Sequence, residues 1–331
     1  MICNRIFAFS IPIFAEAFNE LLTDPGLTYY GHGKLLLTGE YAVLDGADAL
    51  AIPTRLGQSM TIKKTRGSDL IWESLQPNGE PWFSAQISLY DFSALQTNDE
   101  QVASTLQKVL KNAVRLNPEF LDKWNGFKVE TQLEFNREWG LGSSSTLIHL
   151  VAQWADVHPL ELYFKTFNGS GYDVACAGSD TPIVYYNDED EIGYTPVSFD
   201  PSFKDCLYFV YLGNKQDSEL GIKEYLKVAK SRKKLAKEIT RITDAIVECK
   251  DLQSFMALMD EHEQLIAQAL KKTPIKDQRF SNFKGSVKSL GAWGGDFALV
   301  MSEQEETEVG EYFNDKGCDV IIPFSQMIYT K

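Results

Sequence analysis

A glycine- and serine-rich turn constrains this chain more than any other segment. It reads Gly140-Leu141-Gly142-Ser143-Ser144-Ser145, and it joins the alternating strand pattern of 127–135 to an apolar helix through about Val157. Glycines let the backbone approach a ligand closely, and a helix N-terminus offers unpaired N–H groups with a partial positive charge. A serine cap is the alternative, but two glycines and three serines exceed what a cap needs. The segment therefore predicts a phosphate-binding turn.

A second glycine-rich segment carries a lone carboxylate. Gly169-Ser170-Gly171-Tyr172-Asp173 is followed by small and apolar residues. A carboxylate after such a turn can accept a proton from a substrate hydroxyl or orient that hydroxyl. Spacing alone equally allows Asp173 to cap a helix that starts at Val174.

A third segment, Gly291-Ala292-Trp293-Gly294-Gly295-Asp296, runs into the apolar strand pattern of 297–301. A β-hairpin or a bulge is the alternative to a ligand-binding turn. The chain contains neither a Walker A loop nor a complete G-x-G-x-x-G motif, so the best-known nucleotide-binding signatures are absent from the sequence.

The composition narrows the class of protein. The 331 residues suit two domains, and 46 acidic against 32 basic residues give a net charge of −14, which argues against a nucleic-acid partner. The five cysteines form no C-x-x-C pair, and the four histidines have no metal-ligand spacing, so we expect a reduced cytoplasmic protein without structural zinc.

Strand and helix patterns follow one another without regular βαβ alternation, which favours an α+β fold. Residues 1–28 are interpreted as an extension outside the main fold, with a peripheral helix or a weak signal peptide as alternatives; their apolar stretch is too short to cross a membrane. The composition changes near residue 200, which predicts domains over 29–200 and 201–331. From Ser218 to about Lys272 the pattern predicts helix in two pieces.

The three segments, taken in order with a fourth near the N-terminus, resemble the GHMP kinases, which include galactokinase, homoserine kinase, mevalonate kinase and phosphomevalonate kinase. The fourth segment is Gly33-Lys34-Leu35-Leu36-Leu37-Thr38-Gly39-Glu40-Tyr41-Ala42-Val43-Leu44-Asp45-Gly46. The resemblance extends over roughly residues 29–331.

The resemblance implies an N-terminal domain like ribosomal protein S5 domain 2, a ferredoxin-like C-terminal domain, and an active site between them. It implies ATP and Mg²⁺ as cofactors. Asp173 would deprotonate or orient a substrate hydroxyl, and Lys34 would lie beside Asp173 and the transferring phosphate. The turn 140–145 would hold the ATP phosphates, and Ser144 would reach Mg²⁺.

This sequence departs from the family pattern at three places. Asn136, Arg137 and Glu138 stand where the phosphate loop usually begins with proline, and Trp293 stands where glycine is expected. In mevalonate kinases a magnesium-binding glutamate lies a fixed number of residues before the catalytic aspartate. At the corresponding position this chain has Leu162. Glu161 is a candidate metal ligand one residue earlier, with a solvated glutamate at a helix start as the alternative.

The first and third segments are more similar to those of phosphomevalonate kinases than to those of mevalonate kinases. Tyr41 follows Glu40 where mevalonate kinases more often have histidine, and we expect both residues near the substrate. Lys215, Ser218 and Lys288 are candidates for holding a substrate phosphate, with exposed surface lysines as the alternative for the two cations. The third segment, through Gly291, Gly294 and Gly295, would shape the substrate end of the cleft.

The sequence thus predicts an ATP-dependent kinase for a small metabolite of the mevalonate pathway, phosphomevalonate being favoured over mevalonate. A GHMP-type sugar kinase and a non-catalytic nucleotide-binding regulator are the alternatives. We expect neither a nucleic-acid partner nor a membrane partner. A homodimer is left open, because the sequence does not fix the oligomeric state.

Overall fold

The structure is a computed structural model, which describes residues 26–121, 125–188, 191–213, 218–228, 230–291, 293 and 296–329. Within these residues, no helix is both long and apolar enough to cross a membrane. The first half of the fold is an eight-stranded sheet, and the second half is a smaller sheet of four strands.

The large sheet is built around one long strand, β2 (Ala49–Thr65), which pairs with three partners along its length. The sheet order is β5-β4-β3-β6-β2-β7-β8, and β1 also pairs with β2. Among the described pairs, β3 and β6 run parallel and the others are antiparallel. The other strands are β1 (Leu27–Leu36), β3 (Asp69–Leu75), β4 (Pro81–Ser88), β5 (Ala94–Thr97), β6 (Gly126–Leu133), β7 (Ile183–Asn187) and β8 (Ile192–Pro196).

Four helices accompany this sheet, and their buried faces complete its core. The first begins where Asp99 accepts the N–H groups of Gln101 and Val102, and it buries Leu106 and Leu110. The helices are α1 (Glu100–Leu116), α2 (Ser143–Ala155), α3 (Pro159–Thr166) and α4 (Tyr172–Ala177).

The small sheet has the antiparallel order β10-β11-β9-β12. With helices between β9 and β10 and between β11 and β12, this is the βαββαβ arrangement of a ferredoxin-like unit. The prediction of an α+β fold is confirmed. The elements are β9 (Leu207–Tyr211), α5 (Ser218–Val228), α6 (Arg232–Glu248), α7 (Leu252–Leu270), α8 (Ile275–Arg279), β10 (Ser286–Ser289), β11 (Phe297–Met301), α9 (Glu306–Asp315), β12 (Ile321–Pro323) and α10 (Phe324–Met327).

The prediction of two helical pieces between Ser218 and Lys272 is wrong, because the chain forms three helices there. Ser231 has a positive φ of 53°, which interrupts the helical backbone before α6. Asp251 accepts the N–H of Ser254 and starts α7 as an N-cap. Both breaks are set by local backbone geometry and capping, which hydrophobic periodicity does not report.

One hydrophobic cluster combines residues from both sides of position 200. Leu35 and Phe135 of the first half are buried in the same cluster as Phe209, Phe255 and Phe324 of the second half. The shared core packs the two halves against each other. The division at residue 200 stays a prediction.

Candidate active site

The turn 140–145 has the backbone that its glycines predict. Gly140 and Gly142 have φ values of 67° and 94°, in the left-handed region that favours glycine. A β-carbon at Gly142 would lie 3.2 Å from Cγ of Lys34 and 2.6 Å from Oγ of Ser145. The hydroxyl of Ser145 donates to the carbonyl of Gly142 at 2.9 Å and thereby closes the turn.

Helix α2 begins at Ser143, directly after this turn. The first N–H groups of a helix lack intrahelical partners, and they carry the positive end of the helix dipole. Ser144 is exposed at this end, whereas Ser145 is buried. The turn therefore presents N–H groups and one exposed hydroxyl to the same space.

Lys34 connects strand β1 to this turn and to helix α4. Its backbone N–H donates to the carbonyl of Leu141 at 2.9 Å, and its ammonium donates to the phenol oxygen of Tyr172 at 3.3 Å. Burial lowers the pKa of Lys34, but the neighbouring Tyr172, Asp173 and Asp296 outweigh this effect and raise it above its ordinary value. Lys34 is therefore a fixed positive charge beside the turn.

Asp173 lies in the first turn of α4, after Gly171, which has a positive φ of 86°. Its Oδ1 accepts the N–H of Val174 at 3.1 Å. Burial raises the pKa of Asp173, while the charge of Lys34 and the backbone N–H groups lower it in part. A carboxylate whose pKa is raised is a stronger base, so Asp173 suits the acceptance of a proton.

Asp296 belongs to this group of charges, although sequence reasoning assigned only the glycines of its segment. It is buried, with a positive φ of 45°, and its carboxylate occupies the space that a β-carbon at Gly140 would need. Its charge also raises the pKa of Lys34. The sequence signal that could have identified Asp296 is its position directly after the Gly294-Gly295 pair.

Glu40 and Lys288 form a buried ion pair. The two residues are 3% and 1% exposed, and the Lys288 ammonium donates to Oε1 of Glu40 and, at 2.9 Å, to the carbonyl of Ser289. Nε2 of His262 lies 3.2 Å from Oε2 of Glu40 and accepts the N–H of Gly39 at 3.0 Å. Glu40 and Lys288 are therefore paired with each other in the protein interior.

Tyr41 links the N-terminal segment to the third glycine-rich segment. Its phenol oxygen accepts the N–H of Trp293 at 2.9 Å, and its ring stacks on Tyr225 with centroids 5.5 Å apart. A β-carbon at Gly221 would lie 2.8 Å from the Tyr41 hydroxyl, so the first turns of α5 pass close to this residue. Trp293 is therefore anchored by its backbone to the segment that carries Glu40.

The remaining predicted residues are placed as follows. Glu161 is exposed in the first turn of α3, and Gly291 has a positive φ of 68°. Ser218 begins helix α5. Lys215, Gly294 and Gly295 lie outside the described residues. Within the described part of the chain, no three His, Cys, Asp or Glu side chains are grouped to hold a metal ion.

A cavity of about 380 Å³ opens beside the start of α2, and the sequence patterns did not reveal it. Ser143 and Ser144 line one part of it, and Trp82 and Arg137 line another. The Arg137 guanidinium lies 3.7 Å from the centroid of the Trp82 ring, while the buried indole N–H of Trp82 has no acceptor among the residues that the structure describes. The cavity therefore joins a flat aromatic wall and an unused donor to the glycine turn.

Comparison with known proteins gives no matching family model. A curated mevalonate kinase from Methanocaldococcus jannaschii is 23% identical over 300 residues, which cover 85% of this chain and 94% of that protein. The crystal structure of the Methanococcus jannaschii mevalonate kinase shares the fold with a TM-score of 0.67 at 19% identity, covering 91% of this chain and 98% of that one.

Two further solved structures share the fold. Streptococcus pneumoniae phosphomevalonate kinase in complex with phosphomevalonate and AMPPNP has a TM-score of 0.69 at 15% identity and covers 89% of this chain and 99% of that one. Lactococcus lactis galactokinase with galactose has a TM-score of 0.66 at 14% identity and covers 92% of both chains. The chain therefore shares its fold with these mevalonate, phosphomevalonate and galactose kinases, and it is similar in sequence to a curated mevalonate kinase.

Proposed function

We propose that this protein is an ATP-dependent kinase that transfers the γ-phosphate of ATP to an oxygen of a mevalonate-pathway metabolite. The observation that carries the proposal is the position of Lys34. Its backbone is bonded to the glycine turn through Leu141, its side chain fills the space beside Gly142, and its charge acts on Asp173. A phosphate-binding turn, a cation and a base therefore meet at one place.

The cavity beside α2 fits the rest of a nucleotide. A base can lie beside the stacked Trp82 ring and Arg137 guanidinium. The Trp82 indole N–H, which has no acceptor in the described part of the chain, would donate to a polar atom of the base or ribose. Arg137 adds a positive charge to the same cavity. The phosphates of a nucleotide placed there would reach the N–H groups at Ser143 and Ser144.

Phosphoryl transfer requires positioning and charge neutralisation more than covalent chemistry by the protein. The acceptor oxygen, which is a hydroxyl oxygen in mevalonate and a phosphate oxygen in phosphomevalonate, forms a bond to the γ-phosphorus. Asp173 takes the proton that this oxygen carries, and the bond to the bridging oxygen of ADP breaks. Lys34 and the N–H groups of the turn offset the charge on the transferring group. The products are ADP and a phosphorylated metabolite, and the proton leaves from Asp173 to water.

Mg²⁺ would be held mainly by the nucleotide phosphates. The exposed hydroxyl of Ser144 is the protein group at the turn that fits an oxygen-ligand site, and Asp173 and Asp296 add negative charge nearby. The ion would neutralise phosphate charge during transfer. Glu161 remains a proposed ligand from the exposed start of α3.

Phosphomevalonate is favoured over mevalonate as the substrate. The support is the Glu40-Tyr41 pair, the Gly294-Gly295-Asp296 run, and the shared fold of Streptococcus pneumoniae phosphomevalonate kinase. Support for mevalonate comes from the 23% identical archaeal mevalonate kinase. The shared fold of galactokinase makes galactose the sugar to include in the same test.

The test is ADP release with MgATP and, separately, phosphomevalonate, mevalonate and galactose. We expect turnover with phosphomevalonate and a 10²- to about 10⁴-fold lower kcat in Asp173→Asn, since a positioned base contributes about that much. Asp156→Asn is the matched control, because Asp156 is an exposed C-cap of α2 whose positive φ asparagine tolerates. ATP binding without turnover of any of the three would refute the mevalonate-pathway assignment.

A further inference from the structure

The hydroxyl of Tyr172 is the hydrogen-bond acceptor of the Lys34 ammonium, at 3.3 Å. The same ammonium lies 5.5 Å from the centroid of the Tyr172 ring. In the described part of the chain, Lys34 makes no ion pair within 4.0 Å. The lysine is therefore held by a neutral phenol, although two carboxylates, Asp173 and Asp296, act on its charge.

We propose that Tyr172 is a positioning residue that holds the Lys34 ammonium over the glycine turn and thereby leaves the carboxylate of Asp173 open to the acceptor group of the substrate. The catalytic part of this inference rests on the proposed kinase function. The role assigned to Tyr172 acts through Lys34, not through contact with the reacting atoms.

The first argument concerns competition for the carboxylate. An ammonium bonded directly to Asp173 would occupy an oxygen that the acceptor group of the substrate needs, and it would lower the basicity of that oxygen. Oδ1 of Asp173 already accepts the N–H of Val174. Because Tyr172 supplies the acceptor for Lys34, the second carboxylate oxygen keeps its capacity to take a proton.

The second argument concerns geometry. Tyr172 and Asp173 are consecutive residues in the first turn of α4, so their side chains leave the helix in directions about 100° apart. Gly171 precedes them with a φ of 86°, and a β-carbon there would lie 3.1 Å from Leu160 and Phe164. The close packing fixes the start of the helix, and with it the relative positions of the phenol and the carboxylate.

The third argument concerns the protonation state of the phenol. Burial raises the pKa of Tyr172, although the charge of Lys34 lowers it in part. The phenol is therefore neutral at physiological pH. A neutral oxygen can accept from the ammonium without cancelling its charge, so Lys34 remains available to offset negative charge on a phosphate.

The test uses Tyr172→Phe, which keeps the ring and removes the hydroxyl. Acetylation of individual lysines by an N-hydroxysuccinimide acetate is followed by peptide mass spectrometry, with exposed Lys63 of the same protein as the internal standard. Acylation requires the uncharged amine, and the loss of a hydrogen bond to a charged group changes such an equilibrium about tenfold. We expect Lys34 to react about tenfold faster relative to Lys63 in the variant.

Turnover is measured on the same samples. We expect kcat to fall about tenfold in Tyr172→Phe with the KM of the metabolite within about twofold of wild type, because substrate contacts are retained while the cation is less well placed. Tyr30→Phe is the matched control: Tyr30 lies on β1 with Lys34, and its hydroxyl donates to Glu134 and to the carbonyl of Arg55. Thermal unfolding of each variant checks that the fold is retained.

The outcomes separate the two proposals. An unchanged acetylation rate of Lys34 in Tyr172→Phe overturns the positioning role, whether or not the enzyme is active. Faster acetylation with unchanged kcat in an active enzyme also overturns it. Wild-type protein that lacks turnover with every metabolite contradicts the proposed function, while the acetylation rates still decide whether Tyr172 holds Lys34.

Discussion

The carboxylate of Asp296 occupies the space that a β-carbon at Gly140 would fill. The third glycine-rich segment therefore packs directly onto the turn 140–145, although Gly140 and Asp296 lie 156 positions apart in the sequence. Gly140 also has a positive φ of 67°. The contact fixes the approach to the turn and brings a negative charge to the neighbourhood of Lys34.

Gly140→Ala is expected to weaken nucleotide binding. The new methyl group would displace Asp296, and alanine at positive φ costs about 1 kcal/mol or more. We expect the KM of ATP to rise about tenfold or more and the free energy of unfolding to fall by about 1 to 3 kcal/mol. Steady-state kinetics and urea unfolding measure the two effects.

Gly79→Ala is the control for backbone strain alone. Gly79 has a φ of 82°, and a β-carbon there would meet no atom within 4 Å. This control variant is expected to lose stability without a change in the KM of ATP. Equal KM values for Gly140→Ala and wild type would show that the turn tolerates the displacement of Asp296 and would contradict its proposed role.

Local elements could be predicted from the sequence, because their signals are local. The helical pattern from Asp99 to Leu116 corresponds to α1, for which Asp99 provides the N-cap. The strand before the glycine turn and the strand after the third segment were also predicted. The pairing of β1 along β2 and the parallel pair of β3 and β6 depend on contacts between distant residues, which periodicity does not encode.

The same distinction applies to the site. The positive φ values of Gly140 and Gly142 follow from glycine itself, so the turn was recognisable. The hydrogen bond of Lys34 to Tyr172 joins residues 138 positions apart, and no local pattern indicates it. The burial of Lys288 likewise depends on Glu40, 248 positions away, so the sequence left a surface lysine open as an alternative.

Lys288→Met is expected to destabilise the protein by about 3 to 5 kcal/mol, because it leaves the Glu40 carboxylate buried without its cation. Burial already raises the pKa of Glu40, and Lys288 is the group that opposes this effect most strongly. The double variant Glu40→Gln, Lys288→Met removes both charges and is expected to recover much of the loss. Urea unfolding of wild type, the single variants Glu40→Gln and Lys288→Met, and the double variant gives the coupling energy.

A different pattern would support a substrate-binding role for Lys288. In that case Lys288→Met would raise the KM of phosphomevalonate while the free energy of unfolding stayed within about 0.5 kcal/mol of wild type. A double variant that is no more stable than Lys288→Met would contradict the buried-pair interpretation.

Glu263 is expected to make the stability of the protein depend on pH. Burial raises its pKa from 4.5 to about 7, although Lys288 lowers it in part. The folded protein therefore retains a proton that the unfolded chain releases above pH 4.5. The stability contributed by this group is fully present below pH 4.5 and is lost as the pH rises through about 7.

Glu263→Gln removes this titration. Relative to wild type, the variant is expected to gain about 2 to 3 kcal/mol in free energy of unfolding between pH 4.5 and pH 8. Urea unfolding across this range measures the difference between the two proteins, so that the titration of Glu40 and any constant effect of the amide cancel. A difference independent of pH would show that Glu263 ionises normally in the folded state.

Trp82→Phe tests the cavity as the site of the nucleotide base. Phenylalanine keeps the aromatic side of the cavity but lacks the indole N–H, which has no acceptor within the described ranges of the chain. A donor that gains a hydrogen bond on binding is worth about 0.5 to 1.5 kcal/mol, so we expect the Kd of MgATP to rise about threefold to tenfold. Isothermal titration calorimetry measures this change in Kd without any metabolite.

Trp154→Phe is the control, because Trp154 packs in the sheet core against Phe120 and Phe127. Equal Kd values for Trp82→Phe and wild type would place the base elsewhere.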